Sequence, residues 1–357
     1  MRPSTIQEIQ EFMRVSPRVL PRGGGTKPGL SNPPEGFSSL DVSGLAGVKE
    51  YEPNEYTFTA LAGTRIRDLV PLLEEYNQYL PFDPLLAEQG ATLGGSVAAG
   101  LSGPGRYRYG GVRDFLMGIR YVDSSGEIVR GGGKVVKNSA GFDLPKFMVG
   151  SLGRFGVLVE LSFKVFPKPQ KVRTLKLEFE SLDLAMQTLY KATASQLDLY
   201  SIELDSTTTG YTFWVRVGGL EEAISERVER VRGLFGDGEL YVGEAEENLW
   251  RDWRELVWVP SGWQLVKIPI TPACIPQFES ELAGQPILRR YSYGGQAAWM
   301  AMEASPDQIQ PLLDRHQLAG LVVLGDTSQP WLGARPKDTF LKRVKSALDP
   351  VGSFPEV

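Results

Sequence analysis

The chain has 357 residues, 42% of them hydrophobic and 23% charged, with a formal net charge of −5. That length calls for two cores, and the composition excludes a disordered or fibrous chain, while the acidic balance excludes a general nucleic-acid binder, which needs a clustered basic excess. One cysteine, Cys274, and one histidine, His316, exclude an internal disulfide, a CxxC metal site and an iron–sulfur cluster.

Ser4 is placed as the cap of a first helix, with Gln7 at the capping-box position and Ile6, Ile9, Phe12 and Met13 at helical spacing. This amphipathic start lacks a secretory signal, and no later stretch reaches membrane-spanning length, so a cytoplasmic location is expected, with membrane association only through a complex. RVLPRGGGTKPG reads as a strand entering a glycine-rich turn, and EYTFTALAG as a second short strand. Thr64 is positioned to cap a helix carrying Ile66, Leu69, Val70, Leu73 and Tyr76, with Pro71 inside it. FLMGIRYVDSSGEIVRGG predicts a hairpin turning at Ser125-Gly126, and Pro167-Lys168-Pro169-Gln170 marks a boundary.

Beyond that boundary the order is strand RTLKLEFE, helix SLDLAMQTLYKATA, strands LYSIEL and YTFWVRV, a helix from Leu220, and strand GELYVGE. This βαββαβ order recurs after WRDWRELVW, as WQLVKIPI, a helix from Thr271, ILRRYSY, AAWMAME, a helix from Ser305 and GLVVLG. Two ferredoxin-like units in tandem follow from element order, without evident sequence identity. Trp250, Trp253, Trp258 and Trp263 are expected in the core.

Pro21-Arg22-Gly23-Gly24-Gly25-Thr26 offers consecutive backbone N–H groups after a strand, an arrangement suited to a pyrophosphate. Gly90 to Gly100, with Thr92, Gly94, Gly95 and Ser96, is a second small-residue loop opening a helix. Either alone is an ordinary tight turn; two together point to one diphosphate. Further glycine runs follow at Tyr109-Gly110-Gly111-Val112-Arg113-Asp114, at Gly131 to Leu144, and at Gly150-Ser151-Leu152-Gly153-Arg154-Phe155-Gly156-Val157. Gly150, Gly153 and Gly156 lack the G-x-G-x-x-G spacing of a Rossmann loop, so a nicotinamide fold is rejected.

From Arg18 to Pro167 this ordered set resembles the FAD-binding domain of the vanillyl-alcohol-oxidase, or p-cresol-methylhydroxylase (PCMH), type, and most closely the E-subunit family of bacterial glycolate oxidases (glycolate dehydrogenases). The second half resembles that family only loosely. The resemblance implies an α+β protein with a two-subdomain PCMH-type FAD domain over residues 1–169, a ferredoxin-like cap over 170–335, and a segment 336–357 returning to the FAD domain. It implies that Arg22, Gly23, Gly24, Gly25 and Thr26 wrap the pyrophosphate, and that Thr92, Gly94, Gly95, Ser96, Gly100 and Ser102 run along the flavin and its linker. By the same resemblance Lys137, Asn138 and Gly141, with Phe142 and Asp143, form a wall near the flavin, while Gly153, Gly156 and Val157 meet the ribose or adenine. Relatives with covalent flavin carry a histidine at the first loop. Thr26 and Lys27 stand there here, so FAD is expected to be non-covalent.

Oxidation of a 2-hydroxy acid needs a base for the hydroxyl proton and a cation for the carboxylate. His316 reads as a helix-terminal surface residue. Catalytic relatives carry several histidines in a metal-linked site, which this chain cannot supply, so no metal is expected. Arg289 and Tyr291 on an edge-like strand, aligned with Tyr293, are the substrate-site candidates, together with Tyr109 in the Arg106-Tyr107-Arg108-Tyr109 run. Lys267 is a further candidate base if burial lowers its pKa. The expected function is an electron-relaying or accessory FAD subunit beside a histidine-rich flavoprotein paralogue and an iron–sulfur subunit. The alternatives are a self-sufficient FAD dehydrogenase of another alcohol or hydroxy acid, and a flavin-free structural subunit.

Overall fold

Residues 1–15, 18–133, 143–334 and 339–356 are described by a computed structural model. The first helix, Ile6–Val15, buries Ile9 and Met13 at i, i+4 spacing. Its cap lies one residue beyond the expected one: Thr5 Oγ1 accepts the Glu8 N–H, and the Glu8 carboxylate accepts the Ser4 N–H at 2.7 Å. Val19–Arg22 (β1) then runs parallel to Ser38–Asp41 (β2) and delivers the chain to the first glycine loop.

Five further strands follow before the FAD-type half closes: Val48–Glu52 (β3), Thr57–Leu61 (β4), Gln78–Tyr79 (β5), Leu116–Val122 (β6) and Ile128–Gly132 (β7). With Val157–Lys164 (β8) they build an antiparallel sheet in the order β3-β4-β8-β6-β7, while β5 pairs with Phe166–Pro167 (β9). The β6–β7 turn falls where the sequence places it. Asp123 Oδ1 accepts the N–H groups of Ser125 and Glu127, and Gly126 takes φ +82°, a left-handed geometry that favours glycine. The helix expected to be capped by Thr64 runs Ile66–Glu74 and starts after Arg65; Thr64 Oγ1 is instead occupied by the Gly47 N–H at 2.9 Å. Val70 is exposed, as is Tyr76 beyond the helix end.

The second half is one antiparallel sheet of nine strands. Lys171–Phe179 (β10), Leu199–Thr207 (β11), Gly210–Gly219 (β12) and Glu239–Tyr241 (β13) lie in the order β13-β10-β12-β11. Gln264–Pro269 (β14), Ile287–Ser292 (β15), Ala297–Met302 (β16) and Ala319–Leu324 (β17) lie as β15-β16-β14-β17, with Trp331–Gly333 (β18) added outside. Each unit thus has its fourth strand beside its first, and its third between first and second. The ferredoxin-like duplication expected from element order holds in space. The two units join edge to edge through β11 and β15, in the register Leu204↔Tyr291, Asp205↔Arg290, Ser206↔Arg289.

A single core links the halves: stacked Phe58, Phe82 and Phe163 share it with Leu265, Trp299 and Val323 from the nine-stranded sheet. Trp250 and Trp253 are buried as expected, and Trp258 and Trp263 pack partly buried against that shared core. The helix Thr339–Leu348 returns to the first half. There Lys345 Nζ donates to Arg154 O at 2.7 Å, to Phe354 O at 2.9 Å and to the Asp349 carboxylate at 2.6 Å. Val19 N donates to Ser353 O at 2.8 Å, and Phe354 joins Ile9, Met13 and Val19 in one apolar cluster.

Candidate functional site

The two glycine loops meet. A β-carbon on Gly23 would sit 2.1 Å from Thr92 Oγ1, and one on Gly24 would sit 2.0 Å from the carbonyl oxygen of Gly90, distances no side chain tolerates. Gly25 has φ +67°. Thr92 caps the helix Leu93–Ala99 by accepting the Gly95 N–H, and Gly100 ends it at φ +64°. A β-carbon on Gly95 meets only Thr92 Oγ1, at 3.0 Å, so the space before this residue is open. Cavities beside these loops are walled by Arg22, Gly23, Thr92, Gly95, Ser151 and Leu152. Among the described residues, the N–H groups of Gly24, Gly25 and Thr26 have no acceptor, and the buried Ser151 Oγ has no partner. Unengaged donors around a groove lined in large part by glycine backbone are what an extended diphosphate cofactor requires.

Lys27 lies at the same cavity and is buried, with Nζ 3.4 Å from both Thr26 Oγ1 and Leu85 O. Burial pulls its pKa down to about 8, and the field of Glu255 partly opposes this.

Past Ala99 and Leu152 the groove continues into a cavity of about 300 Å³ between the two halves. Gly100, Arg106 and Arg113 face it from one side, and Lys267, Leu321 and Trp331 from the sheet. The Lys267 ammonium lies 5.9 Å from the Tyr293 ring centroid and 5.6 Å from that of Trp299. Part of its side chain faces the cavity, but protein surrounds the charged end; this desolvation, with repulsion from Arg106, lowers its pKa to about 8. The Tyr293 hydroxyl donates to Ser102 O and so fastens the sheet to the loop that follows Gly100.

The remaining sequence candidates fall elsewhere. Arg289 and Tyr291 converge on one carboxylate: Arg289 Nε lies 2.8 Å from Glu279 Oε1, and the Tyr291 hydroxyl donates to the same oxygen. Neither lines the cavities at the glycine loops. Their strand, β15, is flanked by β11 and β16, which corrects the reading of an edge. Tyr293 does not continue its face, because the chain turns there at φ +59°. Arg290 points opposite to Arg289, paired with Asp205 at 3.2 Å and lying over the rings of Trp253 and Trp258. Tyr109 packs edge-on against Tyr79, Phe166 and Tyr200 at the seam between the halves. His316 ends the helix Gln310–Arg315 as expected, but its side chain is only 11% exposed, held by Glu281 at 2.9 Å and by the Phe278 ring. Cys274 is half-buried beside Thr271. Lys137, Asn138, Gly141 and Phe142 lie outside the described residues. Asp143 caps the helix Leu144–Met148 and pairs with Lys146 at 3.1 Å. Sequence reading missed Lys27 and Arg113 as cavity residues; a lone cation inside the apolar run WQLVKIPI was the only local signal for Lys267.

Among the described residues there is no group of three or more His, Cys, Asp or Glu side chains that could hold a metal, and no helix long and apolar enough to cross a membrane.

A family model described as an FAD binding domain matches residues 1–132. The Escherichia coli glycolate oxidase subunit GlcE is 32% identical over 350 residues, covering 98% of this chain and 94% of that relative. The glycolate oxidase subunit GlcD of Bacillus subtilis is 31% identical over 212 residues, 58% of this chain and 45% of its own length. In fold alone, a solved alkyldihydroxyacetonephosphate synthase superposes with a TM-score of 0.73 over 99% of this chain and 74% of its own, at 15% identity.

Proposed function

Because the chain belongs to the family of the glycolate oxidase E subunit, among the PCMH-type FAD-binding flavoproteins, we propose that it is the FAD-carrying, electron-relaying subunit of a glycolate-oxidase-like complex. It is an FAD-dependent oxidoreductase subunit, and the subunit names of its relatives place it in a multi-subunit assembly. The remaining partners we assign are a histidine-rich flavoprotein paralogue that oxidises the hydroxy acid and an iron–sulfur subunit that takes electrons onward. We place the complex in the cytoplasm, with membrane contact only through other subunits.

The observation that carries this reading is the meeting of two glycine loops around a groove with unengaged N–H groups. In our assignment residues 1–169 hold the cofactor, 170–335 form the cap, and 336–357 return to the first domain. Arg22, Gly23, Gly24, Gly25 and Thr26 receive the pyrophosphate; Thr92, Gly94, Gly95, Ser96, Gly100 and Ser102 follow the linker and ring; Gly153, Gly156 and Val157 meet the ribose or adenine. Lys137, Asn138 and Gly141 belong to the wall near the flavin in the same assignment. When bound, FAD supplies hydride acceptance and onward electron transfer. The chain supplies donors and exclusion of water. Among the described residues, the titratable groups that line the loop cavities and the cavity between the halves are cations, Lys27, Arg106, Arg113 and Lys267 among them, with no histidine or carboxylate to act as a base. This favours the relay role.

FAD is proposed to be non-covalent, since neither His316 nor Cys274 lines these cavities. The purified protein is expected to be yellow and to release all its flavin into the supernatant on acid precipitation. Flavin left on the precipitated chain would refute non-covalent binding, and a colourless protein that cannot take up FAD would refute the cofactor itself.

A further inference from the structure

The second half grips the chain just ahead of the second glycine loop. The Leu86 N–H donates to Arg254 O at 2.9 Å, the Glu88 N–H to Glu255 Oε1 at 3.1 Å, and the Gln89 amide to Glu255 O at 2.9 Å. From the other side Lys27, the residue directly after the first loop, brings Nζ to 3.4 Å from Leu85 O. The gripped segment is closed by the Gly90 N–H on Ala87 O and the Ala91 N–H on Leu86 O, and it ends at the Gly90 carbonyl that stands against Gly24. Its backbone is strained. Asp83 and Leu86 hold left-handed φ of +48° and +61°, and Leu256, next to Glu255, holds +55°. Residues with a β-carbon stay in that region only where their surroundings over-determine it. Part of that constraint crosses from the second half: Arg254 supplies its carbonyl to Leu86 and its guanidinium to the Asp83 carboxylate at 3.8 Å, while the same carboxylate accepts the Gly105 N–H at 2.7 Å. Glu255 itself is buried, and among the described residues its Oε2 has no partner. Packing alone disfavours a buried carboxylate with an unsatisfied oxygen, so its hold on the Glu88 N–H calls for a reason.

We propose that residues 83–90 form a strap through which the second half holds the cofactor groove closed, with Glu255 as its fastening. The inference rests on the FAD reading above for the identity of what the groove retains. Glu255 is a positioning residue. It acts on the Glu88 N–H, the strap carries that hold to Gly90, and the Gly90 carbonyl forms the wall against Gly24. An extended cofactor held between two loops leaves when the loops part, and the Gly90 carbonyl withdraws from Gly24 when the strap relaxes. Once the bonds to Arg254 and Glu255 break, the left-handed residues lose what holds them, so relaxation is favoured. Cofactor exchange then follows a local opening at the seam and does not require the first half to unfold. Lys27 works in the same direction, because the field of Glu255 attracts its ammonium across the strap.

The test measures two quantities on the full chain: the rate at which FAD leaves the loaded protein after dilution, and amide hydrogen exchange along the chain with and without FAD. Glu255→Leu, which removes the acceptor, should speed FAD release about tenfold or more and raise exchange over residues 86–91 selectively. Glu255→Gln keeps an acceptor for the Glu88 N–H and should restore release to within about threefold of the unmodified protein. Gln89 is exposed, so Gln89→Ala keeps the test alive if Glu255→Leu does not fold; it should speed release about threefold. Unchanged release in both Glu255→Leu and Gln89→Ala, exchange that rises equally over the whole chain, or a glutamine variant as fast as the leucine one would each overturn the strap. Exchange in the FAD-free protein separates the two readings: a chain that never takes up FAD sinks the cofactor, while loosening of residues 86–91 in FAD-free Glu255→Leu still supports the fastening.

Discussion

Packing demands glycine at residue 24, whereas at residue 95 the demand comes from the proposed cofactor. A side chain on Gly24 meets the Gly90 carbonyl at 2.0 Å whether or not a cofactor is bound, so Gly24→Val must push the two loops apart. Overpacking of this kind costs about 1–3 kcal/mol, and both thermal stability and FAD retention should fall. Gly95→Val meets only Thr92 Oγ1, at 3.0 Å, so it should cost the apoprotein less stability than Gly24→Val while abolishing flavin retention; full FAD occupancy in that variant would displace the groove as the binding site. Lys267 gives a pH signature. Its ammonium faces Arg106 on the 106–109 helix, the Tyr293 phenol and the Trp299 ring, with Arg113 across the cavity. Burial, with the charge of Glu203, holds the Tyr293 phenol protonated well into the alkaline range. The lysine is therefore the group that loses its charge, as pH rises through about 8. A lysine pKa below its unfolded value disfavours the folded state at neutral pH, and that penalty disappears as pH rises from about 8 towards 10.5, so the denaturation midpoint of the unmodified protein should gain on that of Lys267→Met over this range.

Elements were legible where a pattern is local. Helix faces such as Ile9 with Met13, the Ser125-Gly126 turn and both βαββαβ orders can be read from spacing and turn residues alone. What pairs with what across long separations could not be read. ILRRYSY shows a strand, but nothing in it states that β15 meets β11, that Arg289 and Tyr291 share Glu279, or that Tyr293 leaves the strand to reach Ser102, 191 residues away. The glycine loops were visible because a chain without side chains is conspicuous, whereas Lys267 acquires its setting only from Arg106 and Tyr293. The helix Thr339–Leu348 illustrates the same limit, since its anchor is tertiary. Lys345 is buried against Asp349, whose carboxylate also accepts the Ser353 and Phe354 N–H groups. Lys345→Met leaves that carboxylate without its cation and should destabilise the protein by about 3–5 kcal/mol, measured as a shift in denaturation midpoint. A change under 1 kcal/mol would mean that the two N–H donors suffice.

For the molecule as a whole, the relay assignment predicts a difference between the subunit alone and the assembly. Mixed anaerobically with glycolate or D-lactate, the isolated protein should keep its flavin absorbance, while the complex turns over. Rapid bleaching of the isolated subunit would instead favour a self-sufficient dehydrogenase, and its loss in Lys267→Met would name the base. The apolar cluster in which Phe354 meets Ile9, Met13 and Val19 bears on how such a protein is made. A ribosome releases β1 and the first glycine loop early, yet the residues that close the core beneath them, and the Ser353 carbonyl that receives the Val19 N–H, are translated far later. The half that leaves the ribosome first is thus completed last.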